Sequence, residues 1–546
     1  MKGGRMPCLR GTVKKMQHAV CVLKFGGTSV GNGERIRQVA KIVADHVVEA
    51  RSGKDSPTPV VVVSAMSGVT DQLLRLARYA CTGTNEECAR ELKQLKQKHF
   101  DAAAEVVELR EHQAQLLGNL LSTLEALEQD VKALQLVAQQ GQDVTLRTAA
   151  VAAYGERLSV LLVAAAVRDL GTAAQAIQKE IIITTPPQLN DGTQPFGVVV
   201  GAEPLPRETA ENAHALIDPL LAEGVTPIAC GFLGRTLIGY VTTLGRNGSD
   251  YSATVIGAAL DCQEVTIYTD VDGVLTTDPR LIANARLLPH LSYAEAARLS
   301  WFGAKVLHPR TLIPVAPRNI PVRVRNTFRP HLRGTVVGPV VNGVNGLSGA
   351  RAITVRRNLA LITMESTNLF GAPENAGQVF ELAARVGAAP IAICSSSGHH
   401  LSFVVEEQAA DSIIAALQHD MGDWLVRCRR ALAACACIGS GFVSDPMSPA
   451  HAVAALAHER ILVIAQGSSE QGITLIVEEK ASVRALRSLH RELIAPVIPL
   501  VRHVQPTTKE SSLATSASRA LSLQDPQTDR KNIAGAQQTL PASSLH

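Results

Sequence analysis

Near its N-terminus the chain reads Ala19-Val-Cys-Val-Leu-Lys-Phe-Gly-Gly-Thr-Ser-Val30, an apolar run that ends at a lysine and two glycines. Such a run predicts a buried β-strand, and the paired glycines predict a turn directly after it. Residues 33–50 then place apolar side chains at helical spacing, which predicts a helix. A strand, a glycine turn and a helix therefore open the first domain.

The same alternation of strand and helix continues to about residue 326. Helical patterns at Glu156–Val167 and Ser252–Leu260 stand among further strand candidates, which are Pro59–Ser64, Ile181–Ile183, Pro227–Phe232, Val265–Thr269 and Val322–Asn326. Alternation of this kind predicts a mostly parallel sheet covered by helices. The expected fold class is α/β.

Residues 85–140 interrupt this pattern with a long helical insertion. Apolar residues recur there at intervals of three and four, at Leu116, Leu117, Leu120, Leu121, Leu124, Leu127, Val131 and Leu134. This spacing predicts a pair of helices that pack through one leucine face.

An internal repeat follows a Gly-, Val- and Asn-rich stretch at 334–349, where we place the domain boundary. The segments 391–397 and 401–407 align without a gap with segments 463–469 and 473–479. Each copy has helical patterns around it, so we predict two ferredoxin-like β-α-β-β-α-β modules, at 350–425 and 430–495. Residues 505–546 are rich in Ser, Thr and Gln, which predicts a disordered tail.

Composition excludes several classes of protein. The chain has 546 residues, 46% apolar and only 3% aromatic, with a formal net charge of +4. At roughly 100–200 residues per domain this length permits about three domains. The small net charge disfavours a nucleic-acid-binding protein, because such a protein has to neutralise phosphates.

The ten cysteines include no Cys-x-x-Cys pair, so neither a disulfide framework nor a zinc site is indicated. We expect Cys435 and Cys437 to be reduced core thiols. No apolar run approaches the roughly 20 residues of a membrane span. These features predict a soluble, cytoplasmic protein.

Residues 1–18 form a basic N-terminal extension that lacks the apolar region of a signal peptide. A short transit peptide is one interpretation of it. A simpler one is that Met16 is the true start, with the preceding residues a disordered or untranslated extension.

Three motifs carry candidate chemistry, and the first is the strand end at Lys24. Gly26 and Gly27 allow the backbone to approach a phosphate, and the lysine can clamp it. The alternative is a solvated lysine beside an ordinary turn. The motif matches neither a P-loop nor a dinucleotide fingerprint.

The second motif, Thr243–Tyr251, places Arg246, Ser249 and Asp250 in a glycine turn before a helix. Ser249 or Asp250 can serve as a helix cap, but capping leaves Arg246 without a role, and arginine suits recognition of a carboxylate. The third motif, Tyr268–Arg280, follows a strand and lacks the spacing of a calcium loop. We expect this loop to face a nucleotide.

These motifs together resemble the aspartate kinases, which belong to the amino acid kinase superfamily. The resemblance spans residues 19–340 in family order, and the paired modules resemble the family's two ACT domains. Its motifs are Lys24–Val30, Val62–Thr70, Tyr154–Leu158, Thr243–Tyr251, Tyr268–Arg280 and Phe302–Pro309. The resemblance implies a three-layer αβα sandwich of the amino acid kinase type.

The implied reaction is phosphorylation of the side-chain carboxylate of L-aspartate by MgATP, which begins lysine, threonine and methionine biosynthesis. By resemblance, Lys24 holds the charge of the transferred phosphoryl group, Gly26 and Gly27 donate backbone N–H groups to it, and Asp250 organises Lys24 and the phosphate-side network. The implied aspartate site is Ser64, Thr70, Glu156, Arg246 and Ser249. The implied ATP site is Lys24, Thr269, Asp270, Arg280 and Lys305, with Mg²⁺ carried by the nucleotide.

Structural roles remain alternatives for some of these residues. Glu156 can simply favour the first turn of its helix, and Lys305 can be a structural helix residue. Leu275 departs from the family, many of whose members have tyrosine there, so a ring contact with the nucleotide is missing. His308 precedes Pro309 at a helix end, and we expect it to cap or pack rather than to act as a base.

Other functions fit the sequence less well. A fused homoserine dehydrogenase needs a dinucleotide fingerprint after the modules, and Gly439-Ser-Gly-Phe-Val-Ser lacks its third glycine. A catalytically dead amino-acid sensor would be expected to lose Lys24 or Asp250. Another amino acid kinase, acting on glutamate or a nucleotide, is disfavoured by the Arg246–Tyr251 run.

Feedback control by an end-product amino acid is expected at the ACT modules, with Asn368, Asn375, Cys394, Ser395 and Gln466 as candidate regulatory residues. Pro390 and Ile391 stand where lysine-sensitive members carry an acidic residue, and Gln466 resembles the threonine-sensitive pattern. Cys394 replaces the second glutamine of that pattern. We therefore rank threonine above lysine, with insensitivity a third option, and expect at least a homodimer through the ACT modules.

Overall fold

The computed structural model describes most of the chain between residues 19 and 494, and all structural statements below concern the described residues. These are 19–53, 56–186, 202–245, 247–304, 307–340, 349–366, 372–397, 399–422, 424–439, 442, 445, 447–466 and 472–494. The side chains of residues 372–375 and 394–397 are outside the description.

The first part of the chain alternates strands and helices. Its strands are β1 (Val20–Phe25), β2 (Thr58–Val63), β3 (Ala174–Ile177), β4 (Ile182–Thr184), β5 (Thr226–Cys230), β6 (Leu233–Thr236), β7 (Val241–Thr243), β8 (Glu264–Thr269), β9 (His290–Ser292), β10 (Val322–Asn326) and β11 (Thr335–Gly338). Its helices are α1 (Gly33–Arg51), α2 (Val69–Thr82), α3 (Asn85–Val106), α4 (Arg110–Gln139), α5 (Thr145–Ala152), α6 (Tyr154–Asp169), α7 (Pro206–Ala222), α8 (Gly248–Ala259), α9 (Tyr293–Trp301) and α10 (Pro309–Leu312).

An eight-stranded sheet of order β3-β5-β2-β1-β8-β10-β11-β9 forms the centre of this part. Every neighbouring pair is parallel except β10 with β11. Helices cover both faces of the sheet, so the predicted α/β three-layer architecture is confirmed.

The side chains of β1 alternate between two hydrophobic cores, as a strand in a covered sheet requires. Cys21, Leu23 and Phe25 pack into the core that contains α1 to α6. Val20 and Val22 pack into the core that contains α7 and α8. This alternation turns Lys24 towards α8, because it occupies the same face as Val22.

Two local predictions about the first part are wrong. Ile181–Ile183 was expected in the parallel sheet, but β4 belongs to a separate three-stranded sheet of order β4-β6-β7. The four-residue strand β3 takes the outer position beside β5 instead. Leu121 was expected on the buried leucine face of α4, yet it is exposed. Consecutive residues of an α-helix point about 100° apart, so the residue after the buried Leu120 is turned away from the core.

The segment Thr145–Asp169 is more apolar than inspection of the sequence indicated. It is 25 residues long with a mean hydropathy of 1.6, which by length and composition alone would suffice for a membrane span. However, 89% of its most apolar 18-residue stretch is buried inside the protein. Burial against α1, α4 and the sheet explains the apolar composition of α5 and α6 as that of core helices.

The second part of the chain consists of antiparallel strands and four helices. The strands are β12 (Ala352–Ser366), β13 (Ala392–Ser397), β14 (His400–Glu406), β15 (Trp424–Ile438), β16 (Val463–Gln466) and β17 (Gly472–Glu478). The helices are α11 (Ala372–Arg385), α12 (Ala410–Asp420), α13 (Met447–Ala454) and α14 (Ser482–Leu493). The strands form one sheet of order β13-β14-β12-β15-β17-β16.

The long strands β12 and β15 run through both predicted modules. The C-terminal half of β12 pairs with β14, and the C-terminal half of β15 pairs with β17. The N-terminal half of β12 completes the second module by pairing with β15 at residues 434–438. The modules therefore share strands, whereas the predicted boundaries treat them as consecutive.

A bulge marks the place where each long strand passes from one module to the other. Asn358 in β12 and Ala431 in β15 have positive φ values of 57° and 55°. The backbone N–H of Asn358 donates to Glu479 of the second module, and that of Ala431 donates to Glu407 of the first, each at 3.2 Å. Glu407 and Glu479 occupy equivalent positions in the repeat, so each module holds the bulge of a shared strand in the same way.

Helices α11 to α14 cover one face of this sheet and form two separate cores with it. The opposite face continues the core that contains α8 and α9, through residues such as Leu359, Val404 and Leu432. The second part of the chain is thus packed directly on the first part.

Candidate active site

The candidate site lies where β1, β2 and β8 end. β1 pairs in parallel with β2 on one side and β8 on the other, so the carboxyl ends of the three strands lie at the same edge of the sheet. The carboxyl ends of such strands form the crevice in which open α/β sheets bind their ligands.

Lys24 and Asp250 form an ion pair in this crevice. The Lys24 Nζ lies 2.5 Å from Asp250 Oδ1, and the two side chains are only 9% and 17% exposed. Asp250 is in the first turn of α8, where the N–H groups of the helix end stabilise negative charge. The carboxylate therefore fixes the lysine ammonium at the end of β1.

Gly26 and Gly27 lie directly beside this ammonium. A Cβ on Gly26 would be 3.2 Å from Lys24 Nζ, and one on Gly27 would be 3.0 Å from the Ala65 carbonyl oxygen. The Gly26 N–H already donates a long hydrogen bond of 3.4 Å to the Tyr268 carbonyl. To donate to a phosphate, as expected, the Gly26 N–H would have to give up its hydrogen bond to the Tyr268 carbonyl. The lack of side chains at Gly26 and Gly27 leaves room for the phosphate.

Glu156 is fully buried at the start of α6, next to the loop that follows β2. Its Oε1 accepts a hydrogen bond of 3.1 Å from the Ala65 N–H, whereas Oε2 is enclosed and has no partner among the described residues. Burial raises the pKa of this carboxyl to about 8. A buried carboxylate with an unused oxygen is suited to receive a cationic group of a ligand.

The loop from Ser64 to Gly68 joins β2 to α2 and brings further predicted residues to the site. The Ser64 N–H donates to the Phe25 carbonyl at 3.1 Å, and Thr70 lies in the first turn of α2. A Cβ on Gly155 would approach Ala65 Cβ to 2.7 Å, so glycine is needed there for the loop to pack on α6.

Ser249 lies in the first turn of α8. Its side chain packs against Gly231 after β5, where an added Cβ would lie 2.8 Å from Ser249 Cβ.

His308 caps α10, since its Nδ1 accepts a hydrogen bond from the Arg310 N–H at 3.2 Å, and burial lowers its pKa.

The predicted nucleotide-side residues are only partly brought together. Thr269 ends β8, and its hydroxyl donates to Asp270 at 3.1 Å. Both residues directly follow Tyr268, whose carbonyl accepts a hydrogen bond from the Gly26 N–H at 3.4 Å. Arg280 is instead 78% exposed and paired with Asp278 at 2.7 Å.

Two polar links at the ends of the strands were missed by sequence analysis. The hydroxyls of Ser29 and Thr327 are 2.7 Å apart, which joins the glycine turn to the end of β10. The Asn326 amide donates to Asp272 at 2.8 Å and so holds the loop after β8. Polar residues at the carboxyl end of a strand candidate were the available signal.

Several predicted residues fall outside this description. Arg246, Lys305 and Asn368 are outside the described residues, as are the side chains of Asn375, Cys394 and Ser395. Gln466 is described; it is exposed at the end of β16. Cys435 and Cys437 are buried free thiols, and burial raises the pKa of both.

Comparison with known proteins identifies the class. The model of the amino acid kinase family matches residues 19–326, and that of an ACT domain matches residues 436–493. The bifunctional aspartokinase/homoserine dehydrogenase 2, chloroplastic, of Arabidopsis thaliana is 33% identical over 483 residues, which cover 86% of this chain and 50% of the relative. Aspartokinase 3, chloroplastic, of the same plant is 32% identical over 512 residues, covering 88% of this chain and 82% of the relative.

Two crystal structures of E. coli aspartokinase III are also similar. One, with lysine and aspartate, has a TM-score of 0.68 at 29% identity; the other, with aspartate and ADP, has a TM-score of 0.66 at 28% identity. Each match covers 87% of this chain and 99% of the other. The chain spans about half the length of the bifunctional relatives it matches. It belongs to the amino acid kinase family and, within that family, to the aspartokinases.

Proposed function

We propose that this protein transfers the γ-phosphoryl group of MgATP to the side-chain carboxylate of L-aspartate, giving 4-phospho-L-aspartate and ADP at the start of lysine, threonine and methionine biosynthesis. The observation that carries the proposal is the pairing of Lys24 with Asp250 beside two glycines, next to the buried Glu156 with an unused oxygen. The lysine, its aspartate and the two glycines suit a phosphate. The buried carboxylate of Glu156 suits an ammonium.

In the proposed reaction a carboxylate oxygen of aspartate attacks the γ-phosphorus. A new P–O bond forms while the bond from the γ-phosphorus to the bridging oxygen breaks, and ADP leaves with that electron pair. The nucleophile is already an anion, so no base has to remove a proton. Catalysis then depends on alignment and on neutralising the charge of the transferred group, which is the role we propose for Lys24.

The site residues divide between the two substrates. Glu156 would bind the ammonium of aspartate and Arg246 its α-carboxylate, with Ser64, Thr70 and Ser249 lining the pocket. Thr269 and Asp270 would contact the nucleotide, together with Lys305. Arg280 would have to leave Asp278 to reach the nucleotide.

Regulation and assembly complete the proposal. The modules formed by β12 to β17 would bind an end-product amino acid and, through their sheet edges, pair two or more copies of the chain. We propose a cytoplasmic location; the curated relatives named above are chloroplastic.

A hydroxylamine-trapping assay tests the activity. Purified protein with MgATP and L-aspartate should produce the hydroxamate, whereas L-glutamate should give none. Product formed only from glutamate would instead favour another amino acid kinase. Binding of an amino acid without any turnover would favour a sensor that has lost catalysis.

A further inference from the structure

The end of β10 contacts two loops of the candidate active site that follow different strands. β10 pairs in parallel with β8, and β8 pairs in parallel with β1, so the three carboxyl ends lie at one edge of the sheet. Asn326, the last residue of β10, is 2% exposed, and Thr327, which follows it, is 0% exposed. Two buried polar side chains thus lie at the edge where the glycine turn and the loop after β8 begin.

Thr327 connects the glycine turn to the end of β8. Its backbone N–H donates to the Thr269 carbonyl at 2.8 Å, and its hydroxyl lies 2.7 Å from the hydroxyl of Ser29. Ser29 in turn closes the glycine turn, because its N–H donates to the Gly26 carbonyl at 2.9 Å. A single residue therefore fixes the glycine turn relative to the strand end that carries the proposed nucleotide residues.

Asn326 holds the loop after β8 through Asp272. Its Nδ2 donates to Asp272 Oδ1 at 2.8 Å, and its Oδ1 accepts from the Phe328 N–H at 2.8 Å. These partners define the orientation of the amide, since a carboxylate accepts and a backbone N–H donates. Arg329 pairs with the other Asp272 oxygen at 2.7 Å. Both oxygens of Asp272 are thus bound by the end of β10, which keeps the loop that carries Asp270 in place.

Phosphoryl transfer depends on how accurately two such loops are aligned. The γ-phosphorus has to lie in line with the attacking carboxylate, within reach of the groups that neutralise its charge. A displacement of about 1 Å can lower the rate about 100-fold. Thr327 and Asn326 are buried and hydrogen-bonded to the two loops, so they can influence the reaction through these loops rather than by contact with a substrate.

We infer that Thr327 and Asn326 are positioning residues for the proposed kinase reaction, each with a separate effect. Thr327 aligns the glycine turn with the end of β8, so its hydroxyl acts on the rate of transfer. Asn326 keeps the loop after β8 in the shape that binds ATP, so its amide acts on nucleotide affinity. The inference rests on the proposed function, because it assigns these effects to ATP and to the transferred phosphoryl group.

The first test replaces Thr327 in the full chain. Thr327→Val keeps the shape of the side chain and removes its hydroxyl, so kcat should fall about tenfold through misalignment of the glycine turn. The KM values for ATP and aspartate should change less than about twofold, since the substrate contacts are retained. Thr327→Ser keeps the hydroxyl and should recover at least about half of the parental kcat.

Thr209→Val is the matched control. The Thr209 hydroxyl is also fully buried, and it makes two hydrogen bonds with the backbone of Ile183 in β4, at 3.0 and 3.1 Å. Its loss should lower the Tm and leave kcat at the parental value. The role of Thr327 would be overturned by a parental kcat in Thr327→Val, by a serine variant as slow as the valine variant, or by an equal loss of kcat in Thr209→Val.

The second test uses Asn326→Asp, which keeps the oxygen that accepts from Phe328 and replaces the donor with a carboxylate oxygen beside Asp272. The KM for ATP should rise about tenfold, because the two carboxylates repel and the loop loses its hydrogen bond. The kcat at saturating ATP should stay within about twofold of the parental value. If circular dichroism shows that this variant does not fold, Asn326→Ala removes the donor without adding charge and should give the same result.

Stabilisation by MgADP supplies a readout that requires no turnover. A ligand that binds the folded protein raises its Tm, and this shift should be smaller in the Asn326 variant than in the parent. An unchanged KM for ATP together with an unchanged MgADP shift would overturn the role of Asn326. A parent that forms no hydroxamate from aspartate would refute the proposed function and with it the role of Thr327, while the MgADP shift would still decide the role of Asn326.

Discussion

The Thr276 hydroxyl lies 3.1 Å from His490 Nε2, so the loop after β8 is hydrogen-bonded to α14. The same hydroxyl accepts from the Arg286 N–H at 3.0 Å, and the Thr276 carbonyl accepts from the Ile353 N–H of β12 at 2.8 Å. Thr276 therefore connects the proposed nucleotide loop to both a helix and a strand of the regulatory part. Burial lowers the pKa of His490, which favours the neutral ring that can accept this bond.

Replacing His490 with leucine should weaken ATP binding more than aspartate binding. The net value of one hydrogen bond is about 0.5–1.5 kcal/mol, so we expect the KM for ATP to rise about two- to tenfold. His458→Leu, at an exposed position of the same module, is the control. Steady-state kinetics with each substrate varied in turn checks this; a rise in the aspartate KM alone would contradict it.

Lys24→Met should abolish most of the turnover and leave the fold intact. Removal of a group that stabilises transition-state charge typically costs about 10²–10³ in kcat. Lys41→Met changes an exposed lysine of α1 and should retain the parental rate. The measurement is kcat for both variants, with circular dichroism to verify folding. A Lys24 variant with the parental kcat would refute the role proposed for the lysine.

Arg246→Ala should raise the KM for aspartate about 10- to 100-fold, since a charge-assisted hydrogen bond contributes about 1.5–3 kcal/mol. The KM for ATP should change little. Arg207→Ala, at a side chain that is 85% exposed, should change neither constant. A rise in the ATP constant alone would move Arg246 to the nucleotide side of the site.

Glu156→Gln should stabilise the protein increasingly from pH 5 to pH 8. The unfolded chain releases this proton near the usual pKa of 4.5, whereas the folded protein holds it until about pH 8. The unfolded state therefore binds fewer protons in this window, and wild-type stability falls as pH rises through it. Glutamine removes this loss, because it does not titrate.

Thermal melts of both proteins at several pH values check this prediction. The difference in Tm should widen up to about pH 8 and then level off. The variant should also lose affinity for aspartate, because an amide cannot pair with the ammonium. A constant difference in Tm across the whole range would show that the carboxyl titrates normally in the folded protein.

Much of the fold could be predicted because its signals are local. The apolar run of β1, the glycine turn and the periodicity of α1 occur within about thirty consecutive residues. The strands β6 and β7 were missed because three or four residues are too few to show alternation. Ile181–Ile183 was recognised as a strand. The sheet to which it belongs depends on its pairing with β6, which no local sequence pattern indicates.

The candidate site was harder to predict from the sequence, because its contacts join distant parts of the chain. Sequence motifs placed Lys24 and Asp250 at the ends of elements, but only the alternation of β1 and the position of α8 explain their pairing. The Ser29–Thr327 contact spans 298 residues and the Thr276–His490 contact spans 214. Such contacts have no periodicity and depend on the order of strands in the finished sheet.

The shared strands also constrain how the regulatory part can evolve and be engineered. Removing either module would cut β12 or β15 and leave the other with an open sheet, and it would remove the glutamate that holds the remaining bulge. Cutting the chain between the two copies would therefore break strand pairs of both modules. We therefore expect the two modules to unfold together as one cooperative unit.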